Sequence, residues 1–500
     1  MQKRIVSLTV CILFMLSLLG ARVGYIALGE EYTVSKTLNT YSLNIDSIGP
    51  NVYYRDMTKA TNNVSGYVAV IRPSAKCLGE LNKIFSQSEI DEITTELSKG
   101  YPIIKSLDEK PRAKLRYIQI FHTLKTDNRL NQIIDKQSNG ILNHIPDIVH
   151  TKSLSFSVDA QGRLLDGDMG EVENDGYDSP EGYVTSLDKR IQKITLDACR
   201  NMKQGCAIVM NVEDNSILAC VNKPDESYLI KAFSRYAVGS VFKLVVSACA
   251  LENDVDLIYN CTGSIVIGDT TFSCQNNNVH NTQNLKAALA NSCNCYFVNL
   301  ANTLGRDKLL DTAERLGFND TTELFDKWYV KNATLPDFDE LGNLGELSLF
   351  GFGQGRLTVT PLQIGSFLCT VANNGQLNYP RLFLKTVNNE GVENNIDFPQ
   401  PKTVLSENTC KKLIEYMTYV VTNGTGANAQ GKAKKSAGKT ATAQTGQYIL
   451  SHEYLNTWFA GVYPCDNPKY AVVVMTEKGK SGSQDCCPIF RTIVDELENL

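Results

Sequence analysis

Two pairs of apolar strands, about 240 residues apart, most constrain the fold of this 500-residue chain. The first pair is Ala207–Val212 with Ile217–Val221, joined at a polar turn, and the second is Trp458–Tyr463 with Tyr470–Thr476. Short apolar runs separated by turn residues are typical of hairpins. The segments between the pairs are mainly helical in pattern. We therefore expect an α+β domain whose sheet is completed by the C-terminal strands.

Composition and charge exclude one large class of function. The formal net charge is −5, hydrophobic residues make up 43%, and the chain has no long run of Lys and Arg. A protein that neutralises nucleic-acid phosphates needs a basic stripe. Nucleic acid is therefore excluded as a partner, and the length suits about two or three globular domains.

The N-terminus has the pattern of a membrane anchor. Ile5–Ala21 is uncharged and mostly apolar, follows Lys3 and Arg4, and is followed by Arg22, which can snorkel to the interface, and a further apolar run Val23–Leu28. About 20 residues of helix span a bilayer core, and basic residues on the N-terminal side favour an N-inside orientation. We expect residues 1–29 to be the cytoplasmic N-terminus and a single-pass anchor, with the rest outside the cytoplasm. A cleaved signal peptide is the alternative, but no convincing small-x-small cleavage site follows the apolar run.

The rest of the chain divides at a polar stretch rich in Gly and Asp, Asp166–Glu181. We expect one domain over residues 30–180 and a second over 181–500. Within the first, Ser86 followed by Glu89 forms a capping box before apolar positions at helical spacing, which predicts a helix over Ser86–Leu97.

The first chemical motif is Ser240-Val241-Phe242-Lys243. It opens Val241–Leu251, which is apolar nearly all round and is therefore predicted to be a buried helix. Residues three apart share a helix face, and burial lowers a lysine pKa, so Lys243 can accept the proton of Ser240. The pattern S-x-x-K also occurs at Ser186 and Ser436, so the motif is weak alone.

Two further motifs follow in order. Ser292-Cys293-Asn294 lies in Leu285–Leu300, which is predicted to be helical, and S-x-N also recurs elsewhere. Lys439-Thr440-Ala441-Thr442 stands at the start of a predicted strand. Close versions of S-x-x-K, S-x-N and K-T-G occur here in the order used by penicillin-binding proteins and class A β-lactamases. Their order and their placement make coincidence a poor explanation.

The chain resembles the class B, monofunctional penicillin-binding proteins over about residues 181–500. Besides the three motifs, the resemblance includes Ser186–Gln192, Gly353–Gly355, Thr358–Gln363 and Trp458–Pro464. It implies a penicillin-binding transpeptidase fold, an antiparallel sheet with helices on both sides. It also implies that this domain is preceded by a transmembrane helix and an elongated α+β pedestal domain, although the match over Thr33–Asp166 is loose.

The resemblance also implies a reaction, in which a serine-type D-Ala-D-Ala transpeptidase cross-links peptidoglycan stem peptides and is acylated by β-lactams. By resemblance, Ser240 is the nucleophile and Lys243 its general base. Ser292 relays a proton to the leaving amine, and Asn294 hydrogen-bonds the peptide and Lys243. The substrate-binding residues it implies are Lys439 and Thr440, which would hold the terminal carboxylate, and Thr442, whose N–H would join that of Ser240 in an oxyanion hole. A membrane glycosyltransferase is the implied protein partner.

One position departs from the family, because Ala441 stands where K-T-G has Gly. The added methyl could crowd the nucleophile helix or the acyl group, since Gly serves where backbones approach closely. We expect a tolerated change with an altered rate or antibiotic affinity, and a weakened or inactive enzyme is the alternative. Other functions remain open: a β-lactamase-like hydrolase, a D,D-carboxypeptidase that uses water as acceptor, and a non-catalytic scaffold or β-lactam sensor. No E-x-x-L-N segment for a deacylating water is present.

Fifteen cysteines are scattered along the chain. Their spacing matches no common zinc pattern, so no metal and no organic cofactor are expected. Disulfides Cys261–Cys274 or Cys486–Cys487 and mostly free thiols are both compatible with the sequence.

Overall fold

A computed structural model describes residues 2–28, 39–125, 133–135, 139–225, 227–449 and 452–500. Its helices, in chain order, are α1 Gln2–Leu28, α2 Ala75–Leu78, α3 Gln87–Leu97, α4 Lys189–Ala198, α5 Lys243–Glu252, α6 Leu285–Ala290, α7 Asn294–Leu304, α8 Arg306–Arg315, α9 Leu344–Gly351, α10 Pro361–Ala372, α11 Glu407–Asn423, α12 Gly482–Asp485 and α13 Cys487–Leu497.

The strands, in the same order, are β1 Thr40–Ile48, β2 Asn51–Tyr53, β3 Val64–Ile71, β4 Ile103–Leu107, β5 Gln119–Lys125, β6 His150–Ser157, β7 Glu171–Asp175, β8 Gly182–Thr185, β9 Gly205–Asn211, β10 Ile217–Lys223, β11 Tyr236–Ala237, β12 Tyr259–Cys261, β13 Ser264–Ile267, β14 Thr270–Ser273, β15 Asn281–Gln283, β16 Thr321–Phe325, β17 Trp328–Lys331, β18 Ala333–Thr334, β19 Thr358–Val359, β20 Gln376–Leu377, β21 Phe383–Val387, β22 Glu393–Asn395, β23 Lys402–Thr403, β24 Ala437–Ile449, β25 His452–Tyr463 and β26 Tyr470–Glu477.

The chain forms two compact units that interleave along the sequence. Unit 1 is Met1–Ser47, Gly66–Thr123 and Thr151–Asp175, and unit 2 is Ile48–Ser65, Leu124–His150 and Gly176–Leu500. The last change of unit along the chain lies between Asp175 and Gly176, and the predicted domains 30–180 and 181–500 stay predictions.

Unit 1 contains two small sheets, in the orders β4-β3-β5 and β1-β6-β7. Helix α3 begins after Ser86 with the predicted capping box. The Ser86 side chain accepts from the backbone N–H of Glu89, and the Glu89 side chain accepts from the backbone N–H of Ser86. The apolar side of α3 packs with β3 through Ile93, Leu97 and Ile71. The sequence prediction of this helix is therefore confirmed.

Helix α1 covers most of the predicted anchor. Residues 1 and 29, the ends of that anchor, lie outside the described residues. Within the described part of the chain, no helix is both long and apolar enough to cross a membrane. The anchor stays a prediction.

Unit 2 is built around a five-stranded sheet in the order β10-β9-β26-β25-β24, in which every neighbouring pair is antiparallel. Both predicted hairpins are present, and the C-terminal strands complete the sheet. Side chains alternate between its faces along β26. Val474 packs in one apolar cluster with Phe490 of α13, and Val473 packs in another with Phe367 of α10. The sheet therefore has helices on both faces, as expected.

One predicted helix is wrong as a continuous element. Leu285–Leu300 contains two helices, α6 and α7, separated by a turn at Asn291–Cys293. Ser292 adopts a left-handed backbone conformation, with φ of 54°, which an α-helix does not contain.

Candidate active site

The turn that carries Ser240 is fixed on two sides. Ser240 lies in a 3₁₀ turn, Gly239–Val241, directly before α5. Gly239 has φ of 56°, and a Cβ at this position would lie 3.0 Å from the Cβ of Ala443 in β24. Its N–H donates to the carbonyl of Gly353, 3.0 Å away, and a Cβ on Gly353 would lie 2.0 Å from the Gly239 oxygen. The first Gly of the Gly353–Gly355 segment is therefore needed for close backbone contact with this turn.

Ser240 opens onto a cleft of about 620 Å³. The residues that line it are Ser240, Ser273, Gln275, Asn276, Asn278, Ser292, Asn294, Phe352, Gln354, Thr425, Thr440, Ala441, Thr442, Gln444, Leu455, Ser481, Gly482 and Ser483. The cleft therefore brings together residues from all three sequence motifs.

Lys243 is completely buried at the start of α5. Its Nζ donates to the Ser292 carbonyl at 2.7 Å and to Asn294 Oδ1 at 2.7 Å, and it lies 3.4 Å from Ser292 Oγ. Burial lowers the pKa of Lys243 to about 8, because the apolar surroundings disfavour the charged amine. A lysine with this pKa is partly neutral near physiological pH and able to accept a proton.

Lys439, in β24, approaches the same hydroxyl from another side. Its Nζ is also completely buried, lies 3.0 Å from Ser292 Oγ and donates to the Thr440 carbonyl at 2.9 Å. Burial, together with the positive charge of Lys243, lowers the pKa of Lys439 well below its usual range. Ser292 Oγ therefore lies between two buried amines, which explains why the chain leaves the helical conformation here.

Asn294 is oriented at both ends of its amide. Its Oδ1 accepts from Lys243, while its Nδ2 donates to the Ser273 carbonyl at 2.9 Å. These partners fix which way the amide faces. The S-x-N motif thus acts as a short bridge between α5, which begins at Lys243, and β14.

The K-T-A segment forms one wall of the cleft. Thr440 Oγ1 lies 2.6 Å from Thr425 Oγ1, and Thr442 lines the cleft two residues further on. Ala441 is 3% exposed. Because alternate residues of a strand share a face, the methyl of Ala441 lies on the same face of β24 as Lys439 and Ala443. That is the face that meets the nucleophile turn.

The other two S-x-x-K serines do not reach the cleft. Ser186 is buried and donates to the carbonyls of Ile217 and Arg381, each at 2.7 Å. Ser436 is buried as well, and its Oγ accepts from the Gly431 N–H at 3.1 Å. Both are structural hydroxyls, which leaves Ser240 as the motif serine in the cleft.

Further resemblance segments support the same site. Trp458 Nε1 donates to the Ala237 carbonyl at 3.0 Å, three residues before Ser240. Thr360 caps α10, and Gln192 exchanges two hydrogen bonds with the backbone of Cys220. The Trp458 contact joins the sheet to the segment that leads into the Ser240 turn, whereas the Gln192 contacts join α4 to β10 at the other edge of the sheet.

One group of side chains able to bind a metal was not found from the sequence. Cys261, Cys274, His280 and Cys293, here called the Cys/His cluster, hold their donor atoms within 4.8 Å of one another. No disulfide forms among the described cysteines, so the suggested Cys261–Cys274 and Cys486–Cys487 bridges are absent from that part of the chain. The spacing C-x12-C-x5-H-x12-C is wider than that of common zinc motifs. The one sequence signal for this cluster is that its two outer intervals have the same length.

Comparison with known proteins agrees with this geometry. Residues 205–495 match the family model described as "Penicillin binding protein transpeptidase domain". Stage V sporulation protein D of Bacillus subtilis is 27% identical over 386 residues, covering 70% of this chain and 58% of that protein. Peptidoglycan D,D-transpeptidase MrdA of Haemophilus influenzae is 26% identical, covering 63% and 56%. The chain thus spans less than two thirds of the length of these curated relatives.

Solved structures agree as well. The D,D-transpeptidase domain of a peptidoglycan glycosyltransferase from Eggerthella lenta has a TM-score of 0.58 at 26% identity, covering 64% of this chain and 84% of that one. Penicillin-binding protein 3 of Mycobacterium tuberculosis, complexed with aztreonam, shares the fold with a TM-score of 0.65 at 18% identity, covering 91% and 97%. Since the family model spans more than half of the chain and includes every residue that the motifs contribute to the cleft, this protein belongs to the penicillin-binding protein transpeptidase family.

Proposed function

We propose that this protein is a peptidoglycan D,D-transpeptidase that acts through an acyl-enzyme on Ser240. The observation that carries the proposal is Ser292 Oγ, 3.4 Å from Lys243 Nζ and 3.0 Å from Lys439 Nζ, on the cleft that Ser240 lines. A serine, a buried amine of lowered pKa and a second hydroxyl provide a nucleophile, a base and a proton relay.

In the acylation step, Lys243 takes the proton of Ser240 as Oγ attacks the carbonyl carbon of the penultimate D-Ala. The oxyanion that forms accepts hydrogen bonds from the backbone N–H groups of Ser240 and Thr442, which both line the cleft. The C–N bond then breaks. The proton passes through Ser292 to the departing amine, so terminal D-Ala leaves as a neutral amine and an ester remains on Ser240.

In the second step, the amine of another stem peptide attacks that ester. Its proton returns through the same groups to Ser240 Oγ, the C–O bond breaks, and a new peptide cross-link is released. A β-lactam forms the same ester, but its leaving amine stays attached to the acyl group by the opened ring. This explains why acylation by β-lactams belongs to the same proposal.

Substrate binding is assigned to the β24 wall. Lys439, once a substrate carboxylate approaches, becomes protonated and pairs with it, and Thr440 donates a hydrogen bond to the same group. Asn294 holds the peptide through its amide. Penicillin-binding protein A of Mycobacterium tuberculosis is similar to this chain. Two of its solved structures are acyl-enzymes with ceftriaxone and imipenem, at 22% and 21% identity to this chain.

The proposal also includes the location of the reaction. An anchor over residues 1–29 with its N-terminus inside the cell would put residues 30–180 and 181–500 on the outer side of the membrane, where the cell wall is assembled. A membrane glycosyltransferase that polymerises the glycan is the proposed partner, because the resemblance to class B penicillin-binding proteins implies one.

The test is covalent labelling of the detergent-solubilised full chain by a fluorescent penicillin. We expect a stable label that Ser240→Ala abolishes and that Ser186→Ala, a change in a motif serine outside the cleft, leaves in place. A labelled protein that releases the dye within seconds would favour a β-lactamase-like hydrolase. A folded natural protein without any label would reject the acyl-serine proposal.

A further inference from the structure

The Cys/His cluster lies beside the S-x-N turn in a buried position. The three cysteines are each at most 4% exposed, whereas His280 is half-buried. All four donor atoms face one another within 4.8 Å. Elsewhere, buried cysteines such as Cys410 act as small apolar side chains. A convergence of three thiols and an imidazole is different, because a polar imidazole nitrogen that faces a sulfur adds no apolar packing.

Backbone pairing fixes the positions of these donors. Cys261 ends β12, which pairs with β15 so that Cys261 lies opposite Asn281, the residue after His280. The N–H of Cys274 donates to the Gly263 carbonyl at 2.9 Å, two residues beyond Cys261. The donors are therefore presented by secondary structure and its turns rather than by freely rotating surface side chains.

Cys293 completes the set from the N-terminus of α7. It caps that helix, since its Sγ accepts from the N–H of Tyr296. It is also the middle residue of the S-x-N motif. Cys293 therefore links the cluster through the backbone to Ser292 and Asn294, its two neighbours in the chain.

Three of the six separations between the donor atoms match a tetrahedral metal site, and the other three are within 4.8 Å. With metal–sulfur bonds of about 2.3 Å and metal–nitrogen bonds of about 2.0–2.1 Å, the edges of a tetrahedron are about 3.8 Å between sulfurs and about 3.6 Å between sulfur and nitrogen. Cys261 Sγ lies 3.7 Å from Cys274 Sγ and 3.5 Å from His280 Nδ1, and Cys274 Sγ lies 3.6 Å from Cys293 Sγ. A disulfide would need about 2.05 Å.

From this geometry we propose that Cys261, Cys274, His280 and Cys293 bind one divalent ion of the zinc class, which holds the S-x-N turn in its active conformation. Three thiolates and one imidazole in a closed, buried site are the ligands of a structural zinc ion. Cys295, whose Sγ lies 3.5 Å from Cys274 Sγ, supports the site from outside the ligand set.

The consequence for catalysis rests on the proposed function. Ser292 keeps a left-handed φ of 54° while its hydroxyl lies between two lysines. Such a conformation persists only when its surroundings hold it. A metal–Cys293 bond supplies that restraint one residue away. Loss of the ion is therefore expected to slow acylation without removing any group that touches the substrate.

The first measurement is metal content of the full chain purified without chelators, by elemental analysis. We expect about one zinc per chain. His280→Ala is the informative variant, because His280 is the least buried ligand and its loss spares the core. It should weaken zinc binding, measured by competition with a chromogenic chelator, by at least about a hundredfold. His280→Cys, which restores a zinc ligand, should recover most of the affinity, and Cys410→Ser should retain full zinc content.

Three results would overturn the proposal: a metal-free natural protein that takes up no added ZnCl₂, unchanged zinc affinity in His280→Ala, or a disulfide within the cluster found by mass spectrometry. The link to catalysis is tested separately. Chelated protein should be labelled by fluorescent penicillin at least about tenfold more slowly and recover with ZnCl₂, and an unchanged labelling rate would reject that link. If zinc binds but the loaded protein is never labelled, the proposed function fails while the metal site stands.

Discussion

The cleft and the end of β26 bury lysines in opposite ways. Lys243 and Lys439 are fully buried, and among the described residues no carboxylate lies within 4.0 Å of either Nζ. Lys231 is also buried, but it forms an ion pair with Glu477, which Tyr236 also contacts at 3.3 Å. A buried lysine is therefore paired with a carboxylate at one place and has no carboxylate partner among the described residues at the other.

This difference separates function from stability. A buried charge without a partner is costly, so the group gives up its proton instead, which is the state that a general base needs. A buried ion pair keeps both charges but is strongly destabilised when one partner is removed. Lys243 is thus placed to react, and Lys231 is placed to hold the strand end together.

The largest expected effect comes from Lys243→Met, which removes the amine at nearly constant volume. We expect the second-order rate constant for acylation by a penicillin to fall about a thousandfold, within the range for loss of a general base. The free energy of unfolding should change by less than about 1 kcal/mol, because relief of the buried amine offsets its lost hydrogen bonds. Stopped-flow labelling and urea unfolding measure the two quantities, and a large loss of stability at wild-type rate would contradict the comparison.

Lys231→Met should show the opposite pattern. It leaves the Glu477 carboxylate without its partner, and we expect the free energy of unfolding to fall by about 2 kcal/mol, less than for a fully buried pair because Glu477 is partly exposed. Acylation should stay within about threefold of the natural rate. The double variant Lys231→Met/Glu477→Gln is the control and should regain at least half of the lost stability. If Lys231→Met alone abolished labelling, Lys231 would belong to the site.

The sequence predicted several elements of the two units but not the turn at Ser292 in unit 2. The hairpins, the capped helix α3, the buried segment after Ser240 and the strand at Lys439 all follow from local patterns that the structure retains. The break at Ser292 does not, because residues 285–290 before it are good helix formers and the turn is contacted by two lysines distant in sequence. The Cys/His cluster was not predicted for the same reason. Strand pairing brings its four residues together, and their spacing in the sequence does not indicate a metal site.

The pH dependence of acylation tests the same difference between Lys243 and Lys231, with a smaller expected effect. Burial lowers the pKa of Lys243 to about 8, so its neutral, proton-accepting form increases as pH rises through that value. The acylation rate constant should therefore rise about tenfold between pH 7 and pH 9 and then level off. Labelling at constant ionic strength across pH 6–10 gives the profile. A flat profile, or one that falls over this range, would mean that Lys243 is not the base.

The smallest expected effect concerns the Ala441 methyl, which lies on the face of β24 that meets the nucleophile turn, between Lys439 and Ala443. Ala441→Gly restores the family residue, and we expect acylation by a bulky β-lactam to become about two- to fivefold faster as the wall opens. Both Ala441→Gly and the control Ala443→Gly should lose about 0.5–1 kcal/mol of stability, the usual cost of Gly in a strand.

The control separates local room from general loosening. Ala443 packs against Gly239 under the turn, so Ala443→Gly removes support without widening the cleft, and it should not accelerate labelling. Equal rates in the natural protein and Ala441→Gly would show that the methyl does not crowd the acyl group. Equal acceleration in both variants would instead mean that the rigidity of the Ser240 turn limits the acylation rate. Residues of β24 could then not be divided into those that line a reactive cleft and those that only support it.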